Sequence, residues 1–253
     1  MGLSRDISPP SYAGALDSNC SRESEKGPPC IYSNKGSSKT VLLLGDSHAG
    51  HISQAVIDAA NYLNWNTIVW AHGGCHVQFQ RTINGHASDQ CININKTMKN
   101  WVLANTPDAI IVSQYVYSNS SQSDLRDALS TLKSMVPNIL LIENNPVFPD
   151  GLSKRNKTMM ELLVKDLAWK PYNPPKSFSL SEMQIKHENA SNQLAIWARR
   201  NAIDTMSFDS LFCTKKICTR HNGTDWLYFD DNHFSIAGAQ LTIPQLITFL
   251  GRI

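Results

Sequence analysis

The chain has 253 residues, of which 17% are charged, and its formal net charge at pH 7 is +2. This length allows one domain with a full hydrophobic core. The charge is nearly balanced and no basic stripe interleaves with aromatic residues, so the sequence predicts no nucleic-acid partner. No run of about 18 apolar residues predicts a membrane-spanning helix.

The first 40 residues differ in composition from the rest of the chain. Residues 1–40 are rich in Ser, Pro, Gly and Asn, have almost no apolar periodicity, and predict a linker or extended arm ahead of a domain at 41–253. Residues 1–20 lack the hydrophobic core of a signal peptide. We expect the chain to be part of a longer protein that supplies the signal or membrane anchor.

Regular structure is expected from Thr40 onwards, where short apolar segments alternate with segments of helical periodicity. This alternation predicts an α/β fold with a mostly parallel sheet covered by helices on both faces. Pro244 lies inside the last helical pattern and should kink that helix or mark a restart. The predicted strands are 41–45, 67–71, 108–113, 138–143 and one near 203–207, and the predicted helices are 52–60, 94–104, 122–135, 157–169, 181–201 and 235–250.

The cysteines fall into sequence-local pairs in polar, loop-like contexts. An even number of cysteines in such contexts favours disulfides and an oxidising compartment over free thiols. The sequence alone does not fix the connectivity. The simplest pairing is Cys20–Cys30, Cys75–Cys91 and Cys213–Cys218.

Two short polar signals lie near opposite ends of the predicted domain. Ser47 follows the first predicted strand and precedes a helix, which makes it a candidate nucleophile at the carboxyl edge of the sheet. Asp230 and His233 lie shortly before the last predicted helix and offer a general base with an orienting carboxylate. Each signal alone is also explained by helix capping, and their combination indicates an enzyme that forms an ester on Ser47.

The two signals resemble sequence blocks of a known family. Gly45-Asp46-Ser47-His48 is similar to the first block of the SGNH (GDSL-like) hydrolase superfamily, and Asp230-x-x-His233 is similar to its last block. The continuations of these blocks, with Cys213 and Cys218 ahead of the second, resemble SGNH domains fused to acyltransferase-3 membrane domains. The resemblance covers about residues 40–250 and implies a three-layer α/β/α sandwich.

The resemblance also implies an activity and a location. Such proteins O-acetylate bacterial surface sugars, and this chain most resembles the lipopolysaccharide O-antigen acetyltransferases of the OafA/OafB type. We therefore expect the periplasmic domain of an inner-membrane protein, with residues 1–40 as the linker and a polysaccharide as the acceptor. We expect no bound cofactor, an acetyl donor derived from acetyl-CoA and delivered by the membrane domain, and a monomeric domain.

By motif, the resemblance assigns roles to individual residues. Ser47 is the expected nucleophile, His233 the base and Asp230 its partner, with Asp231 as the alternative carboxylate. The backbone N–H groups of Ser47 and Gly74 are the expected oxyanion donors, with Gly73 close behind. The Gly-x-Asn block that normally supplies a further donor is replaced by Ser113-Gln114-Tyr115, so Gln114, Asn144 and Asn145 are alternatives for that donor.

Other readings of the sequence remain open. A carbohydrate O-acetylesterase uses the same residues, and a glycan-binding module with a decayed site is a non-enzymatic alternative. His48, His51, His72, Cys75 and His76 include metal-ligand types, but their spacing matches no familiar zinc site, so we expect no metal. Candidates for a sugar-binding face, each equally well explained by core packing, are Trp70, Tyr115, Tyr117 and Trp226.

Overall fold

A computed structural model describes residues 30–79, 89–149, 175–183 and 188–253 of the chain. Within these ranges a six-stranded sheet forms the centre and a second sheet has two strands, and no helix is both long and apolar enough to cross a bilayer. The strands are β1 (Cys30–Tyr32), β2 (Thr40–Gly45), β3 (Asn66–Ala71), β4 (Ala109–Ser113), β5 (Ile139–Ile142), β6 (Ser177–Ser179), β7 (Asp204–Met206) and β8 (Ile217–Thr219). The helices are α1 (Ser47–Tyr62), α2 (Asp89–Asn105), α3 (Asn119–Lys133), α4 (Glu188–Arg200), α5 (Asp209–Phe212), α6 (Ile236–Gln240) and α7 (Ile243–Leu250).

The central sheet is covered by helices on both faces. Its strand order is β1-β3-β2-β4-β5-β7, and every neighbouring pair except β1–β3 is parallel. β2 is a continuous apolar run because both of its faces are buried. Val41 and Leu43 pack with α1 and α7, whereas Leu42 and Leu44 pack with α2, α3 and α4. The predicted α/β/α sandwich with a mostly parallel sheet is therefore confirmed.

Four parallel strands end together at one edge of the sheet. Gly45 at the end of β2 lies opposite Ala71 of β3 on one side and Ser113 of β4 on the other. Ser113 in turn lies opposite Ile142, the last residue of β5. The loops that follow these strands therefore begin side by side, at the edge where open α/β sheets bind ligands.

Regular structure begins before the predicted start at Thr40. Cys30–Tyr32 forms β1, which pairs antiparallel with β3 and places Ile31 opposite Ile68. These residues of the predicted arm therefore extend the sheet. A strand of three residues is too short to show a periodic pattern, which is why the sequence did not predict it. Residues 1–29 lie outside the described residues, and the arm stays a prediction there.

The helices depart from the predictions mainly at their ends. α3 begins earlier than the predicted residue 122 because Ser118 caps it and exchanges hydrogen bonds with Ser121. Residues 181–183 form a turn and not the predicted first turn of a helix. The predicted helix 157–169 lies outside the described ranges.

The segment predicted as one last helix is two helices. α6 ends at Gln240 and α7 begins at Ile243, with Pro244 in the first turn of α7. Proline is tolerated there because its missing N–H would have no intrahelical acceptor. The restart predicted from Pro244 is the outcome that the structure adopts.

Two disulfide bonds have both of their cysteines among the described residues. The structure contains Cys75–Cys91, with Cα atoms 5.4 Å apart, and Cys213–Cys218, with Cα atoms 3.9 Å apart. The first bond connects the loop after β3 to the first turn of α2, and the second closes the loop that leads into β8. Cys30 is also disulfide-bonded, while Cys20, its predicted partner, lies outside the described residues.

Candidate active site

The turn between β2 and α1 places Ser47 at the carboxyl edge of the sheet. Asp46 caps the helix, since its Oδ1 accepts a hydrogen bond of 2.8 Å from the N–H of His48. Gly45 has a φ of +150°, and a Cβ at this position would lie 1.7 Å from the carbonyl oxygen of Ser113. The turn therefore requires glycine, and it makes Ser47 the first residue of α1, directly after the end of β2.

A second loop, between β8 and α6, brings His233 to this hydroxyl. Asp230 Oδ1 accepts hydrogen bonds from the N–H groups of Asn232 (2.9 Å) and His233 (2.7 Å). This turn directs Asp230 Oδ2 to His233 Nδ1, at 2.7 Å, while His233 Nε2 lies 2.8 Å from Ser47 Oγ. A carboxylate only accepts, so Nδ1 carries the proton and Nε2 offers its lone pair to the hydroxyl.

The electrostatics of this pair suit proton transfer. Burial alone would lower the pKa of His233, but the hydrogen bond and charge of Asp230, with the charges of Asp46 and Asp231, raise it above 6.5. Burial alone would raise the pKa of Asp230, but the hydrogen bonds from His233 and Asn232 lower it below its ordinary value. The carboxylate therefore stays ionised and stabilises the imidazolium that forms when His233 takes a proton.

Asp231, the alternative carboxylate, does not occupy the position beside the His233 ring. Its backbone carbonyl accepts a hydrogen bond of 2.8 Å from the N–H of Phe148. This contact ties the loop after β5 to the loop that carries His233. Asp230 is thus the carboxylate that the structure places against the imidazole.

Two further histidines lie buried beside His233. The ring centroid of His48 is 5.0 Å and that of His51 is 5.7 Å from the ring of His233. Burial lowers the pKa of His48 to about 4 and that of His51 well below 6.5. Both rings are therefore neutral at pH values where His233 titrates, and they surround it without adding charge.

Asn145 bridges the two loops that carry Ser47 and His233. Its Oδ1 lies 3.1 Å from Nδ1 of His48, which donates, and its Nδ2 donates to the carbonyl oxygen of Asn232 at 2.7 Å. His48 is the residue after Ser47, and Asn232 is the residue before His233. The side chain of Asn145 therefore fixes the two reacting groups relative to each other.

The three candidates for a side-chain oxyanion donor differ in what their amides already bind. Asn145 is occupied at both ends. Asn144 binds the backbone of Val116 with both Oδ1 (3.0 Å) and Nδ2 (2.8 Å). Gln114 accepts from the N–H of Val77 at 2.6 Å, while its buried Nε2 has no hydrogen-bond partner among the described residues. Of the three candidates, only Gln114 has an amide nitrogen with no hydrogen-bond partner among the described residues, and its role as an oxyanion donor stays a prediction.

Gly74, the other expected donor, lies in the loop after β3. The N–H of His72 donates to the carbonyl of Gly45 at 2.9 Å, so this loop starts beside the Ser47 turn. The N–H of Cys75 donates to His72 at 3.0 Å and closes a turn in which Gly74 has a φ of +75°. Of Gly73 and Gly74, the second is the one whose conformation favours glycine.

Asp46 also connects the Ser47 turn to the two neighbouring loops. Its Oδ2 accepts a hydrogen bond of 3.1 Å from the N–H of Tyr115, which follows β4. The same oxygen lies 3.7 Å from Nε2 of His76, in the loop after β3. This buried carboxylate therefore holds together the three loops that meet at the sheet edge.

The predicted sugar-binding aromatic residues divide into two groups. Trp70 lies in β3, is buried and contacts Trp101 edge-on, and Trp226 is buried as well. Both side chains are too buried to offer a ring face to a sugar. Tyr115 and Tyr117 instead lie on the loop after β4, beside the site. Among the described residues, no group of three or more His, Cys, Asp and Glu is placed to hold a metal ion.

The sequence did not reveal the bridging role of Asn145. Its two partners are 97 and 87 residues away along the chain, and no spacing rule connects such positions. The only signal was its place just after a predicted strand, where polar residues reach the ligand-binding edge.

Comparisons with known proteins identify the family and the fold. The family model described as "SGNH domain (fused to AT3 domains)" matches residues 18–248. A comparison with curated protein sequences finds no match. Among solved structures, the fold is similar to the periplasmic domain of a lipopolysaccharide acetyltransferase of Salmonella ser. Paratyphi A, with a TM-score of 0.61, 15% identity, and coverage of 86% of this chain and 84% of that one. It is also similar to an active-site mutant of a family two carbohydrate esterase from Clostridium thermocellum, with a TM-score of 0.50, 11% identity, and coverage of 85% and 64%.

Proposed function

The chain belongs to the family of SGNH domains that are fused to AT3 domains, and on that premise we propose that it is an O-acetyltransferase that acts through an acetyl ester on Ser47. The acceptor is a hydroxyl group of a bacterial surface polysaccharide, the lipopolysaccharide O-antigen. The observation that carries the proposal is the hydrogen-bonded series from Ser47 Oγ through His233 to Asp230, with distances of 2.8 and 2.7 Å.

The reaction has two steps that use the same base. In the first, Ser47 Oγ attacks the acetyl carbonyl of the donor while His233 Nε2 takes the hydroxyl proton and passes it to the leaving group. In the second, a sugar hydroxyl loses its proton to His233 as its oxygen attacks the acetyl carbon. The Ser47 oxygen leaves and regains that proton. Asp230 keeps the imidazole oriented and stabilises its charged form in both steps.

Each step passes through an oxyanion that needs hydrogen-bond donors. We assign this role to the N–H groups of Ser47 and Gly74 and to Nε2 of Gln114. The Gln114 amide is supported by its burial and by the absence of an acceptor for Nε2 in the described part of the chain. Loss of one such donor typically costs about 3–4 kcal/mol of transition-state stabilisation.

The AT3 fusion of the family supports a division of labour between two domains. The membrane domain would deliver acetyl groups derived from acetyl-CoA, and this domain would transfer them outside the inner membrane. The disulfides Cys75–Cys91 and Cys213–Cys218 support a periplasmic location, because disulfides persist in oxidising compartments. Of the predicted linker, residues 1–29, ahead of β1, would then connect the two domains.

The test uses the full-length protein in its bacterial host. Ser47→Ala should abolish O-acetylation of the surface polysaccharide, measured as acetyl groups on the isolated glycan by NMR. A His233→Ala variant should have the same effect, whereas Ser38→Ala, a change at an exposed residue between β1 and β2, should have none. Wild-type acetylation by Ser47→Ala would overturn the proposal.

A carbohydrate O-acetylesterase is the second candidate, because water can attack the same acetyl ester. The two activities differ only in the second nucleophile. With a soluble acetyl donor, adding an acceptor sugar to a transferase should lower the amount of free acetate released. The decrease should equal the amount of acetylated sugar that forms. An esterase would instead remove acetyl groups from an acetylated polysaccharide and leave a deacetylated one unchanged.

A further inference from the structure

A series of aromatic rings leads from the protein surface to His233. Tyr117 is 49% exposed, and its ring centroid lies 6.3 Å from that of Tyr115. Tyr115 is stacked on His48, with centroids 4.9 Å apart and planes at 13°, and His48 is 5.0 Å from His233. We call Tyr117, Tyr115 and His48 the aromatic strip.

The backbone of the strip is held in place by the loops of the site. The N–H of Tyr115 is bound by Asp46, at 3.1 Å. Between the two tyrosines, the N–H and the carbonyl of Val116 both bind the side chain of Asn144. A segment outside regular structure is therefore fixed by side chains from two other loops. Such pre-organisation is typical of a binding surface. Core packing does not require it here, because about half of the Tyr117 side chain stays exposed to water.

We propose that the aromatic strip is the acceptor subsite and binds the apolar face of a neutral sugar ring. This inference rests on the proposed acetyltransferase function. Aromatic rings offer a broad apolar face with a polar tip, which matches a pyranose ring with its C–H face and hydroxyl rim. A sugar packed on Tyr117 and Tyr115 points along the strip to His233, the base that takes the proton of the attacking hydroxyl.

The charges around the strip select for a neutral sugar. Asp46 accepts a hydrogen bond from the backbone N–H of Tyr115, and Asp124 interacts electrostatically with His76, whose ring is 5.4 Å from that of Tyr117. Burial and the charge of Asp231 raise the pKa of Tyr115 to about 12. The Tyr115 phenol therefore keeps its proton and adds no negative charge to the strip. These carboxylates would repel a uronic or sialic acid at the same position.

Tyr117 allows a test that leaves the acetylation of Ser47 intact. In the full-length protein, Tyr117→Ala should slow the initial accumulation of acetyl groups on the polysaccharide about tenfold, the effect of losing one good aromatic contact. Hydrolysis of 4-nitrophenyl acetate by the isolated domain should stay within about twofold of the wild type, because this small ester needs no sugar subsite. Tyr117→Phe, which keeps the ring, should restore most of the acetylation.

Tyr62→Ala is the matched control, because Tyr62 is 75% exposed at the far end of α1 and should leave both rates unchanged. Unchanged acetylation by Tyr117→Ala would overturn the subsite, and so would an equal loss in both assays, since that would place Tyr117 in the chemistry. The Ser47→Ala variant separates failure of the subsite from failure of the proposed acetyltransferase function. If that function is right, Ser47→Ala abolishes acetylation whether or not the strip binds sugar. Acetyl groups located by NMR on an acidic sugar would refute the preference for a neutral one.

Discussion

Replacing Asn145 by leucine should loosen the relative placement of Ser47 and His233. Leucine has nearly the shape of asparagine but forms no hydrogen bonds. The change removes the contact with His48 Nδ1, at 3.1 Å, and the contact with the carbonyl of Asn232, at 2.7 Å. It removes a side chain that connects the residue after the nucleophile to the residue before the base.

The magnitude follows from the groups left without partners. His48 is buried and Asn145 is buried, so the imidazole N–H and the Asn232 carbonyl have little access to water in the variant. Each of these two unsatisfied buried groups costs about 1–3 kcal/mol, which gives a loss of roughly 2–6 kcal/mol in the free energy of unfolding. For a domain of this size that corresponds to a fall in Tm of roughly 4–24 °C. A displacement of about 1 Å between the reacting groups costs about 100-fold in rate.

The assay combines denaturant unfolding with hydrolysis of 4-nitrophenyl acetate, both on the isolated domain. The matched control is Asn138→Leu, which removes a side-chain hydrogen bond to the carbonyl of Asp108 (2.9 Å) at the opposite edge of the sheet. That control should lose stability and keep its kcat/KM. The reasoning is refuted if Asn145→Leu keeps wild-type kcat/KM. A loss of activity without loss of stability would instead identify Asn145 as a direct oxyanion donor.

The remaining predictions concern the base and the nucleophile turn. Because His233 must be neutral to accept a proton and its pKa is raised, kcat/KM should fall as the pH drops through a value above 6.5, as a pH profile of ester hydrolysis would show. Asp230→Asn removes the hydrogen-bonded charge that raises this pKa, so it should cut the rate about 10⁴-fold and shift the pH profile of the remaining activity to lower pH. A pH profile that does not shift would contradict the assignment of the loss of activity at low pH to His233. Gly45→Ala should lower the free energy of unfolding by about 3 kcal/mol or more, because φ is +150° and the added Cβ would lie 1.7 Å from the carbonyl oxygen of Ser113. Gly73→Ala is the control, since a Cβ there has no atom within 4 Å, and its free energy of unfolding should stay within about 0.5 kcal/mol of the wild type.

Elements with a strong local pattern could be predicted from the sequence. β2 and α1 carry a continuous apolar run and a clear helical period, and their bounds differ from the predictions only at the ends. Three-residue strands such as β1, β6 and β8 carry no such period and form only because a neighbouring strand accepts their hydrogen bonds. The antiparallel addition of β1 to the sheet was therefore beyond sequence reasoning.

The site shows the same division between local and long-range information. The Gly45-Asp46-Ser47 turn and the Asp230-x-x-His233 loop are local motifs, so both were found as candidates. The choice among Gln114, Asn144 and Asn145 depended on what each amide binds across the fold. Such contacts join residues that are far apart in sequence and follow from packing, which a single sequence does not contain.

The central claim is that an acetyl group is carried on Ser47, and mass spectrometry of the enzyme during turnover tests it most directly. The isolated domain is mixed with an acetyl ester, quenched in acid within the first turnover and digested. We predict the mass of one acetyl group on the peptide that contains Ser47, its loss when an acceptor sugar is added, and no such species in Ser47→Ala. An acetyl group on a different residue, or turnover by Ser47→Ala at the wild-type rate, would contradict the account.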